Sequence, residues 1–459
     1  MAEDDSPSAA LKQIEKEIAD LLSKRDKLLR CIRGAPSPAL PLDVLLEVFY
    51  HLLDDSDDSK TIIYPSHVSR LWRETAIGNP RLWTQILIGA SQEGKDAATV
   101  AYAATCAQRA GGRLMSLTMA IRTTWPKSPS KDLLSSILEV TRSCRWEKIC
   151  LSSTFTSDFE HLFGGCLDSE KVAEVHTFSL TNRDSEEHSK AGIIDLQPYR
   201  ALTSFTFDCR GQKNTDSDIF AVPWQKLTYL KLVTAMDTEQ YLHILRQCVN
   251  LEVCVLKDES QTDAAHLAPV HLLKLKRLEL LATPDIIFNI RAPVIEELVL
   301  YSNSDDDGQE ELWDYLSSIG STLRKIELPG DMVWQFSEFV DSWEVLEELT
   351  VFGSLQGERD EYKGRERTHS DGVEHLLDNI LYALPRLRTL ELNNQCCADD
   401  YTQAHLLQFM EKHIKRGNLS SLERVTYRLS TYKRKKIEDL ATCFERLRKD
   451  GIITVEIER

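Results

Sequence analysis

A short apolar pattern, Leu-x-x-Leu-x-Leu with apolar substitutes, recurs along most of the chain. Successive side chains of a β-strand point to opposite faces. The last two apolar residues of each copy therefore point the same way, and the residue between them points to the other side. Each copy thus predicts a strand with one buried face. The middle apolar residues of the twelve copies are Leu117, Ile149, Phe178, Phe205, Leu230, Cys254, Leu278, Leu298, Ile326, Leu349, Leu390 and Val425.

The step between copies is mostly about 20–32 residues, which is the period of leucine-rich repeats. Helical stretches such as Gln240–Val249 and Val373–Leu384 are predicted between the strands. A unit of this kind buries its apolar face only against neighbouring units, so stacked units share one core and one parallel sheet. We therefore predict an α/β fold in which residues 110–459 form a leucine-rich-repeat solenoid, with a closing strand at Ile452–Ile457.

The residues between or just after the apolar positions are predicted to lie on the concave face of the sheet. They combine charged and aromatic side chains, which are common in protein-recognition surfaces. The alternative is that they are simply the solvated face of the strands. The candidate target-binding residues are Tyr229, Lys231, Arg277, Glu279, Tyr301, Lys325, Glu327, Glu348, Phe352, Glu391 and Arg424.

Residues 8–33 carry a heptad pattern that predicts an amphipathic helix. Arg25 interrupts the apolar seam, and charged residues fill much of the other positions. The seam requires a partner, which is either the next domain of the same chain or a second copy in a coiled coil. The apolar seam positions are Leu11, Ile14, Ile18, Leu21, Leu28 and Ile32.

Residues 36–88 are predicted to form a small helical module. Pro36 and Pro38 end the first helix, and Leu40-Pro41 opens a second one with an apolar stripe at helical spacing. The segment His67–Ile77 predicts a further helix, after which the chain enters a strand near Ile86. A unit of this size buries little apolar surface by itself, so part of the stripe is expected to face a partner.

Leu40-Pro41 opening a helix, then Val68-x-Arg70-x-Trp72, then Pro80-x-Leu82-Trp83, resembles the F-box motif found in fungal repeat proteins. The resemblance implies a substrate receptor of an SCF-type ubiquitin ligase, which docks on a Skp-type adaptor and the cullin ligase core and holds an unidentified target protein. The alternative is an interaction scaffold outside any ligase, whose helical module only caps the solenoid. The resemblance assigns adaptor docking to Leu40, Pro41, Val44, Leu45, Val48, Leu52, Val68, Leu71 and Trp72.

The composition of the chain bears on which partners and which cell compartment are expected. Acidic residues outnumber basic ones 72 to 55, giving a net charge of −17, which argues against binding to nucleic acid. Neither a signal peptide nor an apolar run long enough to span a membrane is recognisable, and the eleven cysteines are interpreted as reduced thiols. We therefore expect a cytoplasmic or nuclear protein.

Motifs for enzyme chemistry are absent or incomplete. The segment Gly89–Asp96 has the spacing of a phosphate-binding loop but ends in Asp96, where a hydroxyl is required. The acidic turn that begins at Asn303 imitates a calcium loop but has Asp314 in place of the usual glutamate. We predict neither catalysis nor a metal or other cofactor. The segment Gly353–Gly372 is predicted to be a loop, and Tyr432–Lys436 either a solvated helix end or a nuclear-localisation patch.

Overall fold

The chain divides into two compact units, Met1–Leu82 and Trp83–Arg459. The computed structural model describes residues 7–34, 40–54, 63–88, 96–121, 131–153, 172–182, 194–209, 220–257, 266–281, 284–301, 309–332, 340–352, 359–360, 365–366, 383–394, 423–429 and 454–458. The phosphate-loop-like segment, the calcium-loop-like turn, the helix predicted at 373–384 and the basic patch at 432–436 lie wholly or largely outside these residues.

The first unit contains three α-helices among its described residues, Pro7–Gly34, Leu42–Asp54 and Arg70–Gly78, together with a 3-10 turn at Pro65–His67. The second helix begins after Pro41, whose carbonyl accepts a hydrogen bond from the amide of Leu45 at 3.0 Å. Ser69 caps the third helix, its side chain accepting a hydrogen bond from the amide of Trp72 at 3.2 Å. Val68 therefore lies in the turn before this helix. The sequence pattern predicted instead that Val68 is part of the helix, within His67–Ile77.

The second and third helices share a small core. Leu45 and Phe49 are fully buried, and the ring of Phe49 meets that of Trp72 edge-on with 5.5 Å between centroids. On the neighbouring side, the guanidinium of Arg81 lies 5.0 Å from the ring centroid of Tyr50. The face of the second helix that carries Leu45 and Phe49 is thus buried inside the unit.

The second unit is built on a parallel sheet of 14 strands. Each strand pairs with the strands before and after it in the chain order of the sheet, an arrangement consistent with a solenoid. The sheet strands are β1 Gln85–Ile88, β2 Leu114–Ile121, β3 Arg145–Ser153, β4 Thr177–Asn182, β6 Ser204–Cys209, β8 Tyr229–Val233, β9 Val253–Lys257, β11 Arg277–Leu280, β13 Glu297–Leu300, β14 Lys325–Pro329, β15 Glu348–Phe352, β18 Thr389–Asn394, β19 Arg424–Leu429 and β20 Thr454–Glu458. Short strands pair outside this sheet: β5 Ile194–Asp195 with β7 Phe220–Ala221, β10 Val270–His271 with β12 Ile290–Arg291, and β16 Arg359–Asp360 with β17 Arg365–Glu366.

All twelve strands predicted from the apolar pattern are present in the sheet, and so are the strand near Ile86 and the closing strand. One boundary differs. Strand β1 pairs in parallel with β2, so residues 85–88 belong to the sheet and not to the helical module in which the sequence placed them. The short pair β16–β17 lies within the segment predicted to be a loop.

The register of the sheet places equivalent residues side by side. From β1 to β18 the two apolar positions of each strand form two buried rows, illustrated by Leu278 beside Leu298 and Leu280 beside Leu300. The same backbone hydrogen bond, from an amide just before one strand to the carbonyl just before the preceding strand, recurs from repeat to repeat. The amide of Glu252 donates to the Thr228 carbonyl at 2.8 Å, and that of Lys276 donates to the Glu252 carbonyl at the same distance.

Helices and 3-10 turns connect the strands. Helix Thr238–Gln247 starts two residues before the predicted Gln240, because Asp237 and Gln240 form a capping box. The hydroxyl of its buried Tyr241 lies 2.6 Å from the Thr234 carbonyl and 2.7 Å from the Lys257 carbonyl, which joins the helix to the ends of β8 and β9. The other described helices of this unit are Asp96–Arg109, Lys131–Val140 and Gln309–Ile319, and the 3-10 turns are Val172–Glu174, Trp224–Lys226, Pro284–Asn289, Gly330–Met332 and Val340–Ser342, with a further one at Pro80–Trp83 across the boundary between units.

Cysteines contribute to the core of the sheet unit. Cys106, Cys144, Cys209, Cys248 and Cys254 are buried, and none of these five is part of a disulfide. Burial raises the pKa of Cys106 to about 11 and that of Cys248 to about 12, so these thiols stay protonated and unreactive near neutral pH. Within the described part of the chain, no helix combines the length and the apolarity needed to cross a membrane.

Candidate functional site

The sheet has an open face, which we define as the face opposite the two buried rows. Three further rows of side chains lie on it, in register from strand to strand. In the second half of the sheet the first open row contains Arg277, Glu297, Lys325, Glu348, Thr389 and Arg424. The second contains Glu279, Val299, Glu327, Thr350, Glu391 and Thr426. The third contains Tyr301, Pro329 and Phe352.

The target-binding residues predicted from the sequence lie on this face, as the alternation within each strand requires. Tyr229 and Lys231 are on β8, and the others follow from β11 to β19. Glu348, Arg424 and Tyr301 are exposed, whereas the remaining candidates are half-buried. These residues share one face of the sheet, and their role in binding stays a prediction.

Charges of opposite sign alternate along the first open row. A guanidinium nitrogen of Arg277 lies 3.0 Å from a carboxylate oxygen of Glu297 on the next strand. Two strands further on, the ammonium of Lys325 lies 4.0 Å from a carboxylate oxygen of Glu348. Opposite charges directly across neighbouring strands stabilise a sheet by a few tenths to about 1 kcal/mol each.

The same two cations also pair with the second open row. Arg277 contacts Glu279 at 3.4 Å, and Lys325 contacts Glu327 at 2.9 Å. Each cation therefore serves two carboxylates. On the open face of β11–β18, the five carboxylates of Glu279, Glu297, Glu327, Glu348 and Glu391 face two cations, which leaves a net charge of 2 − 5 = −3. We call this region the acidic patch.

Burial and charge act against each other on these groups. Burial lowers the pKa of Lys325, but the hydrogen bond to Glu327 and the charges of Glu327 and Glu348 outweigh it, so the pKa lies above its ordinary value. Burial raises the pKa of the Tyr301 phenol, and the negative charges of Glu279 and Glu327 raise it further. The patch thus presents a negative potential to a group placed beside Tyr301.

An aromatic pair borders the acidic patch. The rings of Tyr301 and Phe352 lie 5.1 Å apart between centroids and are tilted by 39°. They stand on strands that flank β14, whose residue at the same level is the buried Pro329. Tyr301 keeps 47% of its surface exposed, so the pair offers an accessible apolar contact next to the carboxylates.

Sequence reasoning missed several charged members of the open face, among them Lys148 and Lys257, and also Glu297 and Asp208, which form ion pairs between strands. Glu297 occupies the same position relative to its apolar pattern as Arg277 and Lys325, and that equivalence was the signal available. Asp208 lies in β6 with little exposure, and its carboxylate is 3.1 Å from the ammonium of Lys231. The Lys231 candidate is therefore already engaged in an ion pair and sits apart from the acidic patch.

The residues assigned to adaptor docking are only partly accessible. Leu45 is buried, because it packs in the core of the helical unit, and Val48 and Trp72 are half-buried. Leu45 therefore does not belong to the outer surface in this structure. The other assigned residues Leu40, Val44, Leu52, Val68 and Leu71 are exposed, and so are Leu42, Tyr64 and Ile77, which the sequence prediction did not include. Pro41 is exposed as well.

The sequence matches no protein-family model and no curated protein. Among solved structures, the chain is similar to the crystal structure of a TLR13–ssRNA13 complex, with 14% sequence identity and a TM-score of 0.36. The similarity covers 71% of this chain and 44% of the other, so the chain spans less than half the length of the protein it matches.

Proposed function

We propose that this protein is a non-catalytic adaptor of an SCF-type ubiquitin ligase. The helical unit docks on a Skp-type adaptor that is bound to the cullin core, and the leucine-rich-repeat sheet holds the target. The observation that carries the proposal is the set of large apolar side chains exposed on so small a helical unit. Clusters of this kind mark interaction sites on soluble domains.

The order of motifs supports the docking half of the proposal. Leu40 and Pro41, which carry the resemblance to the F-box motif, are exposed at the start of the second helix. Leu71 is 44% exposed although it is adjacent to the half-buried Trp72, which packs against Phe49. The third helix therefore leaves Leu71 accessible to a partner.

The acidic patch supports the target-binding half. Its carboxylates outnumber its cations, and the aromatic pair Tyr301–Phe352 supplies an apolar contact beside them. A protein segment that carries basic residues next to an apolar one fits both features. The adaptor would act by position alone: a target held near the conjugating enzyme reacts at a raised effective concentration.

Co-purification with a Skp-type adaptor tests the docking half. Val44→Glu and Leu71→Glu each place a charge on an exposed apolar site, so the folded unit is retained while docking is lost. A matched control is Val249→Glu, because Val249 is 56% exposed and lies in the sheet unit. We expect the wild-type chain and the Val249 variant to recover the adaptor equally, and the two helical variants to recover at least about tenfold less.

The ligase assignment would be overturned if all four chains recovered the adaptor equally, and no better than beads that carry none of these chains. That result would favour the scaffold alternative, in which the helical unit serves no ligase. Circular dichroism on each variant distinguishes lost docking from lost folding.

A further inference from the structure

The first helix presents an apolar face that nothing in its own unit covers. Every described side chain from Lys12 to Lys27 is exposed, and the seam residues Ile14, Ile18 and Leu21 are exposed by 54%, 51% and 64%. Leu22, beside the seam, is 46% exposed. An amphipathic helix of 28 residues gains most of its stability from packing of that face, so an unpacked seam of this length requires a partner.

We propose that this face binds the same helix of a second copy of the chain, in an antiparallel two-stranded coiled coil. The heptad spacing supports a helical partner, since such a seam packs best against an identical periodicity. The charges that flank the seam select the second copy and its direction. The proposal is independent of ligase docking and of the acidic patch.

A parallel dimer with twofold symmetry must be in register, because identical surfaces contact each other across the axis. In that register Arg25 would face Arg25 of the second copy inside the seam. Glu17 and Lys24, at the flanking positions, would each face a leucine and gain no opposite charge. Like charges opposed in a seam destabilise the parallel arrangement.

The antiparallel dimer removes both problems. With Ile18 packed against Leu21 of the second copy, Arg25 lies opposite Ile14 and near Glu15 and Glu17 of the other helix. Glu17 of each copy then faces Lys24 of the other, which gives two symmetric ion pairs. These side chains are exposed and now pair only within their own helix, Glu17 with Gln13 and Lys24 with Asp20, so they reorient at little cost.

The mass of the full-length protein, measured by sedimentation over about a hundredfold range of concentration, tests the proposal. We expect a reversible monomer–dimer equilibrium for the wild type. Ile18→Glu should weaken dimerisation at least about tenfold, because it buries a charge in the seam. The control Ser23→Glu lies on the outer side of the same helix and should dimerise like the wild type. Circular dichroism confirms that each variant keeps its helix.

Charge exchange tests the direction of the helices. Glu17→Lys should weaken the dimer, because each of the two ion pairs between Glu17 and Lys24 then becomes a pair of like charges. Adding Lys24→Glu should restore both ion pairs and the dimer. A wild type that remains monomeric throughout the range overturns the proposal. A dimer that is indifferent to Glu17→Lys, or that the double exchange does not restore, overturns the antiparallel arrangement.

Discussion

The two halves of the sheet share one buried architecture but carry different open faces. Along β2–β6 the open rows consist mainly of small hydroxyl residues, including Ser116, Thr118, Ser152, Thr177, Ser179, Thr181, Ser204 and Thr206, all half-buried. Along β11–β15 the same positions hold the ion pairs of Arg277 and Lys325 and the aromatic pair of Tyr301 and Phe352. The strands of both halves belong to one sheet, with a shift of the register between β2 and β3 at Met115/Ser116.

The comparison shows that the buried rows determine the fold and that the open rows vary independently of it. Phe205 in β6 and Leu298 in β13 are both fully buried, although the open-face neighbours of Phe205 are hydroxyl residues and those of Leu298 are Glu297 and Val299. Since a parallel strand needs only its apolar rows and its backbone pairing to join the sheet, the open positions are available for binding. The second half differs by its surplus of carboxylates, and it is the part of the open face that we propose for target binding.

The largest expected effect concerns the shared core, and it should be equal in the two halves. Phe205→Ala beneath the hydroxyl half and Leu298→Ala beneath the acidic patch each leave a cavity at a fully buried position. We expect the free energy of unfolding to fall by roughly 3–5 kcal/mol for the first and about 2–5 kcal/mol for the second. Urea denaturation followed by circular dichroism measures both.

The matched control is Ser204→Ala, on the open face beside Phe205, for which we expect a change below about 0.5 kcal/mol. A core variant that unfolds with the free energy of the wild type would contradict the continuous buried row on which the comparison rests.

The sequence predicted the buried rows well and the contacts of the open rows poorly. The alternation of apolar residues within each strand depends only on local spacing, so every copy of the pattern located its strand. The pairing of Arg277 with Glu297 depends on the register between strands that are twenty positions apart in the chain, which no local pattern encodes. Leu45 illustrates the same limit in the helical unit: its stripe was recognised, but its burial depends on where the third helix packs.

The next largest effect concerns the affinity for a basic peptide, which should depend on the charges of the acidic patch and not on the hydroxyl half. The double variant Glu327→Gln/Glu348→Gln removes two of the five carboxylates of the acidic patch and keeps the shape of both side chains. We expect the affinity for a synthetic peptide of alternating lysine and leucine to fall roughly tenfold, since exposed or half-buried charge pairs contribute up to about 1 kcal/mol each. Fluorescence anisotropy of the labelled peptide measures the change.

Two controls belong to that measurement. Ser179→Ala/Ser204→Ala alters the hydroxyl half and should leave the affinity unchanged, as should Glu239→Gln at an exposed position of helix Thr238–Gln247. If Glu239→Gln weakens the peptide as much as the patch variant does, the attraction reflects the net charge of −17 and not a local site.

A smaller effect isolates the apolar contact. Phe352→Ala removes one ring of the aromatic pair, and we expect about a threefold to tenfold loss of affinity for the same peptide, because the partner loses one apolar contact. Tyr301→Phe keeps both rings and should bind like the wild type. Loss of binding in the Tyr301 variant would instead assign the contact to the phenol hydroxyl.

The smallest effect concerns the potential at the edge of the patch. Burial and the charges of Glu279 and Glu327 raise the pKa of Tyr301 above its ordinary value, so the neutral phenol persists to higher pH than in a free tyrosine. Replacing Glu327 with Gln removes one charge that opposes ionisation, and the titration should move to lower pH, toward the ordinary value. The absorbance difference between chains with and without Tyr301→Phe isolates this phenol from the other tyrosines.

The raised pKa of Tyr301 also makes stability depend on pH. Because folding raises this pKa, the contribution of the neutral phenol to stability is complete below the pKa of the unfolded chain, and it is lost as the pH rises through the pKa of the folded protein. A titration that Glu327→Gln leaves in place would show that Glu327 does not act on the phenol, and that burial and Glu279 account for the raised pKa.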